Sequence, residues 1–155
     1  MEAIEARVTS EGGGSACESP PVHTTLVPLD GSELSERALP FAVALARQHG
    51  GGLLLLEATD EQHPSAEVDA YLSRWADRLK DDCGVAVVRD VAVGDAGRAI
   101  VDEAERHKAD LIVMATHART GVERALKGSV ADFVLHHAAA PVLLVPAACD
   151  RSWVR

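Results

Sequence analysis

The chain has 155 residues, of which 47% are hydrophobic and 25% are charged, and it carries a formal net charge of -9. This length fits one globular domain that buries roughly 70% of the surface its unfolded chain would expose. The acidic balance provides no general attraction for nucleic acid or an anionic membrane, so neither is expected as a partner.

The start of the chain does not resemble a targeting segment. Two glutamates interrupt the opening MEAIEARV, and no run in the sequence approaches the roughly 18 apolar residues of a membrane span. The three cysteines are scattered and form no CxxC motif, as is usual for free thiols in a reducing compartment. We therefore expect a cytoplasmic protein.

The two ends of the chain differ in composition from its middle. Residues 1–22 contain SEGGGSACESPP, which is rich in Gly, Ser, Pro and Glu and has no apolar period, so they are predicted to form a flexible leader. Residues 148–155 also lack a pattern and are predicted to form a C-terminal tail. The folded domain is expected to span residues 23–147.

The first predicted strand covers residues 24–29 (TTLVPL), and Ser32 behind it is predicted to cap a helix. Pro40 lies near the start of this first helix, where we expect a small kink and no break. Three glycines beginning at Gly50 end the helix, and residues 53–58 (LLLLEA) form a second, deeply buried strand. The apolar face of the first helix consists of Leu39, Ala42, Val43 and Ala46.

A second predicted helix has a clear apolar stripe, followed by residues 85–93, whose period of two indicates an edge strand. Asp95 is predicted to cap a third helix that buries Ile100 and Ala104, and residues 111–115 (LIVMA) form a fourth, buried strand. The stripe of the second helix consists of Val68, Leu72, Trp75, Ala76 and Leu79.

Residues 129–137 are predicted to form a fourth helix that points Val130, Phe133 and Val134 inward, and residues 141–146 (PVLLVP) a fifth strand. The alternation predicts an α/β fold with an open, mostly parallel five-stranded sheet and helices on both faces. Such sheets bind ligands beyond the carboxyl ends of strands, where the strand order reverses.

The connection across residues 114–130 (MATHARTGVERALKGSV) is locally basic in an acidic protein. Backbone amides around Gly128, Ser129 and Val130 are suited to hold a phosphate at the start of the fourth helix, with Arg119 and Lys127 in reach of its oxygens. Across the crevice, Asp30 is placed for a ribose hydroxyl or a metal ion. The alternative also stays open, in which Ser129 and Asp30 are caps and the basic side chains form a solvated surface.

Other nucleotide motifs are absent from the sequence. Lys127, Gly128 and Ser129 have the order KGS, whereas a Walker A loop needs GK followed by Ser or Thr. No GxGxxG, CxxC or GxSxG occurs, which argues against dinucleotide, zinc-hydrolase and serine-hydrolase chemistry.

Three segments together resemble the universal stress protein family. They are LVPLDGSELSERAL, VGDAGRAIVDEAERHKADLIVMATHARTG and GSVADFVLHHAAAPVLLVP, and the resemblance covers roughly residues 23–146. It implies a parallel sheet in strand order 3-2-1-4-5 and a homodimer that pairs through strand five.

ATP-binding members of that family carry a glycine, two residues, a second glycine, nine residues, then glycine and Ser or Thr. The last pair falls on Gly128 and Ser129, but the first two glycines are replaced by Ala115 and Ala118. If either position needs positive φ, alanine costs about 1 to 2 kcal/mol, enough to weaken a nucleotide roughly tenfold. If the glycines serve only close approach, a methyl group is tolerable.

The resemblance implies that Asp30 faces the ribose, that Ala58 lies beside adenine, and that Thr116, His117 and Arg119 border the phosphates. The implied nucleotide-binding residues are Pro28, Asp30, Ala58, Met114, Ala115, Thr116, His117, Ala118, Arg119, Gly128, Ser129 and Val130.

The resemblance also implies a stress-response protein that binds ATP, with Mg²⁺ as an accompanying ion, as a regulatory ligand. No catalytic residues are predicted, so any ATP hydrolysis should be slow, and a protein partner of unknown identity is expected to read the nucleotide state. One alternative is a dimeric interaction module of the same family that binds no nucleotide. Another is an enzyme of the wider adenine nucleotide hydrolase superfamily, which should turn over faster than about 1 per second.

Overall fold

A computed structural model of the chain describes residues 23–60, 65–117 and 130–149. The predicted leader and most of the predicted tail lie outside these residues, as do Ala118, Arg119, Gly128 and Ser129 of the predicted site. Within the described parts, no helix combines the length and the hydropathy of a membrane-spanning segment.

Five parallel strands form one sheet in the order β3-β2-β1-β4-β5, which confirms the predicted fold class. Leu53 to Leu56 of β2 are almost completely buried, as expected for a strand covered on both faces. At the sheet edge, Val88 of β3 is 60% exposed, in agreement with the predicted edge strand. The strands are β1 (Thr24–Pro28), β2 (Gly52–Thr59), β3 (Ala86–Val93), β4 (Leu111–Thr116) and β5 (Val142–Pro146).

Helices cover both faces of this sheet and enclose two apolar cores. Alternate residues of β1 divide between them, since Val27 packs with α2 and α3 and Leu26 packs with α4 and α5. The helices are α1 (Glu33–Glu36), α2 (Leu39–His49), α3 (Ser65–Cys83), α4 (Ala96–Arg106) and α5 (Val130–His137).

The first predicted helix is divided into α1 and α2, so the expectation of a kink without a break was wrong. Pro40 has no N–H with which to bond the carbonyl of Glu36, and the ladder is interrupted there. Arg37 and Ala38 instead donate to carbonyls three residues back, at 3.1 and 3.2 Å. Both keep right-handed helical φ and ψ, so the chain direction changes little.

The inward face of α5 also differs from the prediction. Val134 is fully buried as predicted, but Val130 is 40% exposed and Phe133 is only half-buried, while Ala131 is buried. Phe133 lies against Gly97 of α4 and stacks on the ring of His137 at a centroid distance of 4.0 Å. Close packing of α4 on α5 therefore depends on the missing side chain at Gly97.

We predict that Gly97→Ala lowers the free energy of unfolding by about 1 kcal/mol. The new methyl carbon would lie 2.8 Å from Cδ1 of Phe133, and such overpacking costs about 1 to 3 kcal/mol against a gain in helix propensity of up to about 1. Urea unfolding measures the change. In a Phe133→Ala background the same substitution should stabilise the protein, and an equal effect in both backgrounds would contradict the proposed contact.

Candidate functional site

The strand order reverses beside β1, and a crevice opens there at the carboxyl ends of the strands. β1 is registered with β2 over five positions, but with β4 over only two, Thr25 opposite Leu111 and Leu26 opposite Ile112. Beyond these pairs the helices of the two halves lie on opposite faces of the sheet. This is the position at which parallel sheets bind ligands.

A cavity of about 400 Å³ lies at this crevice, within the usual range for small-molecule sites. Its wall combines a large apolar part with a few polar groups near the end of β1 and the end of β4. The lining residues are Pro28, Leu29, Asp30, Ser32, Leu34, Ser35, Ala58, Ala96, Ile100, Met114, Ala115, Thr116, His117, Val130 and Ala131.

Asp30 is held by a network of hydrogen bonds in the turn that follows β1. Its Oδ1 accepts from the backbone N–H of Ser32 at 2.9 Å and from the Ser32 hydroxyl at 2.5 Å. The Ser32 Oγ in turn accepts from the N–H of Ser35 at 3.1 Å, which confirms Ser32 as the helix cap. Ser35 Oγ completes the network by accepting from the N–H of Asp30 at 3.3 Å.

This network keeps the Asp30 carboxylate charged. Partial burial alone would raise the pKa of Asp30, but the hydrogen bonds from Ser32 and Ser35 outweigh it and lower that pKa below its ordinary value. The carboxylate is therefore ionised at neutral pH and presents an oriented hydrogen-bond acceptor at the rim of the cavity.

The short helix α1 is anchored from behind by α3. Glu36 Oε1 accepts hydrogen bonds from the Tyr71 hydroxyl at 2.9 Å and from Trp75 Nε1 at 3.2 Å. Burial, together with the Glu36 carboxylate, raises the pKa of Tyr71, so this hydroxyl remains a donor. The turn that carries Asp30 is thus fixed at both ends.

The inner part of the cavity is apolar and is built from small and unbranched side chains. Ala58 on β2 leaves space between the sheet and Ile100 of α4, and Met114 of β4 forms the adjoining wall. Met114 is only 6% exposed and also belongs to a core cluster. Met114 therefore both packs in the core and lines the cavity.

The end of β4 supplies the opposite rim. Thr116 is 7% exposed and His117 is exposed, and both line the cavity. Ala115 lies inside β4, registered with Val145 of β5, and no positive φ is found there. Alanine at position 115 therefore does not have the backbone strain that a positive φ would cause. Ala118 lies outside the described residues.

The structure brings eight of the twelve predicted site residues to one cavity, and the other four lie outside the described residues. The sequence interpretation missed several neighbours. Ser35 stands three residues after the cap, a spacing that returns a side chain to the cap and could have revealed it. Ile100 was predicted only as core. The missed lining residues are Leu29, Ser32, Leu34, Ser35, Ala96, Ile100 and Ala131.

Comparisons with known proteins agree with this architecture. A universal stress protein of Methanocaldococcus jannaschii is 31% identical over 135 residues, which span 77% of this chain and 79% of that relative. A solved universal stress protein in complex with cAMP is 29% identical, with a TM-score of 0.70, and covers 83% of this chain and 99% of that one. A solved universal stress protein from Archaeoglobus fulgidus in complex with dAMP is 24% identical, with a TM-score of 0.63. The match covers 80% of this chain and 98% of that one, and it supports the fold alone.

The family match itself covers residues 21–146, which include every described strand and helix. On this match and on the relative from M. jannaschii, the chain belongs to the universal stress protein family.

Proposed function

We propose that the chain binds an adenine nucleotide, with ATP as the expected ligand, and acts as a regulatory protein. The observation that carries the proposal is the cavity itself, which joins an apolar inner wall to an ionised carboxylate at its rim. A flat, largely apolar base fits beside Ala58 and Met114. A ribose hydroxyl can donate to Asp30, and phosphates would extend past Thr116 and His117.

The similar structure with cAMP supports an adenine ligand class. The extended backbone at Ala115 supports the view that alanine at this position weakens ligand binding little, because it adds one methyl group and no backbone strain. Three parts of the proposal stay predictions. They are the phosphate cradle formed by Gly128, Ser129 and the N–H of Val130, the phosphate contacts of Arg119, and the accompanying Mg²⁺.

Catalysis is proposed to be slow. Among the described lining residues, Oδ1 of Asp30 accepts hydrogen bonds from Ser32, and no serine, threonine or cysteine is paired with a histidine as an activated nucleophile would be. We infer that nucleotide occupancy, and not turnover, is the functional signal, read by a protein partner in the cytoplasm.

Filling the cavity beside Ala58 should weaken nucleotide binding. We expect Ala58→Leu to reduce the affinity for ATP and Mg²⁺ at least tenfold in isothermal titration calorimetry, because the added carbons occupy the space assigned to the base. Ala70→Leu, on an exposed position of α3, is the matched control and should bind normally. Absence of heat from the unaltered protein at millimolar nucleotide would contradict the proposal.

The charge on Asp30 should matter for the ribose contact. Asp30→Asn keeps the shape but replaces a charged acceptor, and we expect roughly a five- to tenfold loss of affinity. Because the pKa of Asp30 is below its ordinary 3.8, affinity from this contact should be constant above about pH 5 and should decline on acidification through that pKa. Asp77→Asn, exposed on α3, is the control, and an equal loss in both variants would argue against a ribose contact.

We further propose that the protein is a homodimer that pairs through β5. This strand forms one edge of the sheet, carries no charged side chain, and exposes 37% of Leu143, while Leu135 of the adjacent α5 is 38% exposed. The opposite edge strand, β3, includes the charged Arg89 and Asp90, which oppose edge-to-edge pairing. The proline that ends β5 limits the length of the pairing.

Leu143→Lys should therefore convert the dimer to a monomer of 16.4 kDa in size-exclusion chromatography with light scattering. A buried lysine on each side of the two-fold axis brings like charges together. Val88→Lys, at the other edge of the sheet, should leave the dimer intact. A monomeric unaltered protein, or dissociation by Val88→Lys alone, would contradict pairing through β5.

The second candidate function is a dimeric interaction module that binds no nucleotide. It is favoured by the two alanines that replace glycines at positions 115 and 118. In that case the dimer would persist while the nucleotide titration would show no binding.

A further inference from the structure

A cluster of metal-ligating side chains lies between β3 and α4 and shares no residue with the crevice cavity. Asp90 comes from the edge strand, and Glu103 and His107 come from successive turns at the end of α4. Their oxygen and nitrogen atoms all lie within 4.8 Å of one another, and all three residues are half-buried. The cluster therefore draws an imidazole and two carboxylates from two elements to one point.

The distances from the His107 imidazole to the two carboxylates are close to those between ligands of a tetrahedral zinc ion. Two ligand atoms bound at about 2.0 to 2.1 Å with a tetrahedral angle are roughly 3.3 Å apart. His107 Nε2 lies 3.4 Å from Glu103 Oε2 and 3.0 Å from Asp90 Oδ2, with which it forms a hydrogen bond that a bound ion would replace. Both distances from the imidazole nitrogen are thus close to those that a common ion would require, and the two carboxylates lie within 4.8 Å of each other.

The orientation of the Asp90 carboxylate is also fixed in advance. The backbone N–H of Val91 donates to Asp90 Oδ1 at 2.9 Å, which leaves Oδ2 facing the cluster. Glu103 and His107 are four residues apart and so share one helix face. Outer hydrogen bonds of this kind orient the ligands of metal sites in proteins.

One cation already occupies the region between the carboxylates. Arg106 Nη2 contacts Asp90 Oδ2 and lies 2.5 Å from Glu103 Oε2. The guanidinium neutralises only one of the two negative charges, and its side chain is 59% exposed, so it can move into solvent. Its ion pairs are therefore of the exposed kind, which contribute little to stability.

We propose that Asp90, Glu103 and His107 form a zinc site in which a bound Zn²⁺ replaces the Arg106 guanidinium. An imidazole among the ligands favours zinc over magnesium or calcium, which take oxygen ligands. Three protein ligands leave a fourth position for water. The ion would join the edge strand to the end of α4, and Arg106 acts as an internal competitor that limits the affinity.

Calorimetric titration of the full chain with Zn²⁺ alone, in a buffer free of chelators and nucleotide, tests the site. We expect one saturable ion per chain, with affinity lowered at least tenfold in His107→Gln and in Glu103→Gln. Arg106→Gln should raise the affinity about fivefold, because the competing ion pairs are removed. His49→Gln, an exposed histidine at the end of α2, is the matched control and should bind as the unaltered chain does.

Far-UV circular dichroism and the midpoint of thermal unfolding report whether each variant folds. A gain of affinity in Arg106→Gln has no explanation in misfolding, so the test does not depend on the ligand variants alone. Absence of saturable binding, equal losses in His107→Gln and His49→Gln, or weaker binding in Arg106→Gln would each overturn the proposal. All of these outcomes are independent of nucleotide binding at the crevice.

Discussion

The reversal of strand order between β1 and β4 is the constraint on which the remaining structure depends. The chain builds outward from β1 through β2 to β3 and then crosses back to place β4 on the other side of β1. Helices from the two halves cover opposite faces, so a crevice opens where the carboxyl ends of β1 and β4 meet. Every described residue of the candidate site lies along this seam or on the helices beside it.

Local hydrogen bonding converts the seam into a defined surface. Without the hydrogen bonds from Ser32 and Ser35, the Asp30 carboxyl would have a higher pKa and a free choice of rotamer. The same short helix is held by Glu36 against Tyr71 and Trp75, so the cavity rim is coupled to the long helix α3.

Much of the fold could be predicted from the sequence because local signals and burial agree. Apolar runs marked the buried strands, the period-two alternation around Val87 marked the edge strand, and Ser32 and Asp95 are caps as predicted. The break before α2 was missed because a single helix was predicted from the Ser32 cap onward, whereas Pro40 lies in the first turn of a separate helix, where proline is tolerated. Val130 was predicted to face inward, but it is 40% exposed. The side chain that packs against α4 is Phe133, which fills the space beside Gly97.

The site residues at strand ends could be predicted more readily than the site residues on helices. Asp30 was predicted from its position after the first strand, and Ala58 and Thr116 were predicted only through the family resemblance. Ile100 and Ala131 reach the cavity through helix packing that no local pattern specifies. The cluster around Asp90 was not predicted at all, since its members are separated by a loop and meet only when β3 and α4 pack together.

The central claim is that an adenine nucleotide occupies the crevice at the carboxyl ends of β1 and β4. An amide NMR titration of the isotope-labelled chain with ATP and Mg²⁺ tests it most directly. The largest shifts are predicted at Ala58, Thr116 and His117, with little change at Asp110 and Ala140, which line a cavity at the opposite end of the sheet. Shifts concentrated at Asp110 and Ala140, or no shifts at millimolar nucleotide, would contradict the claim.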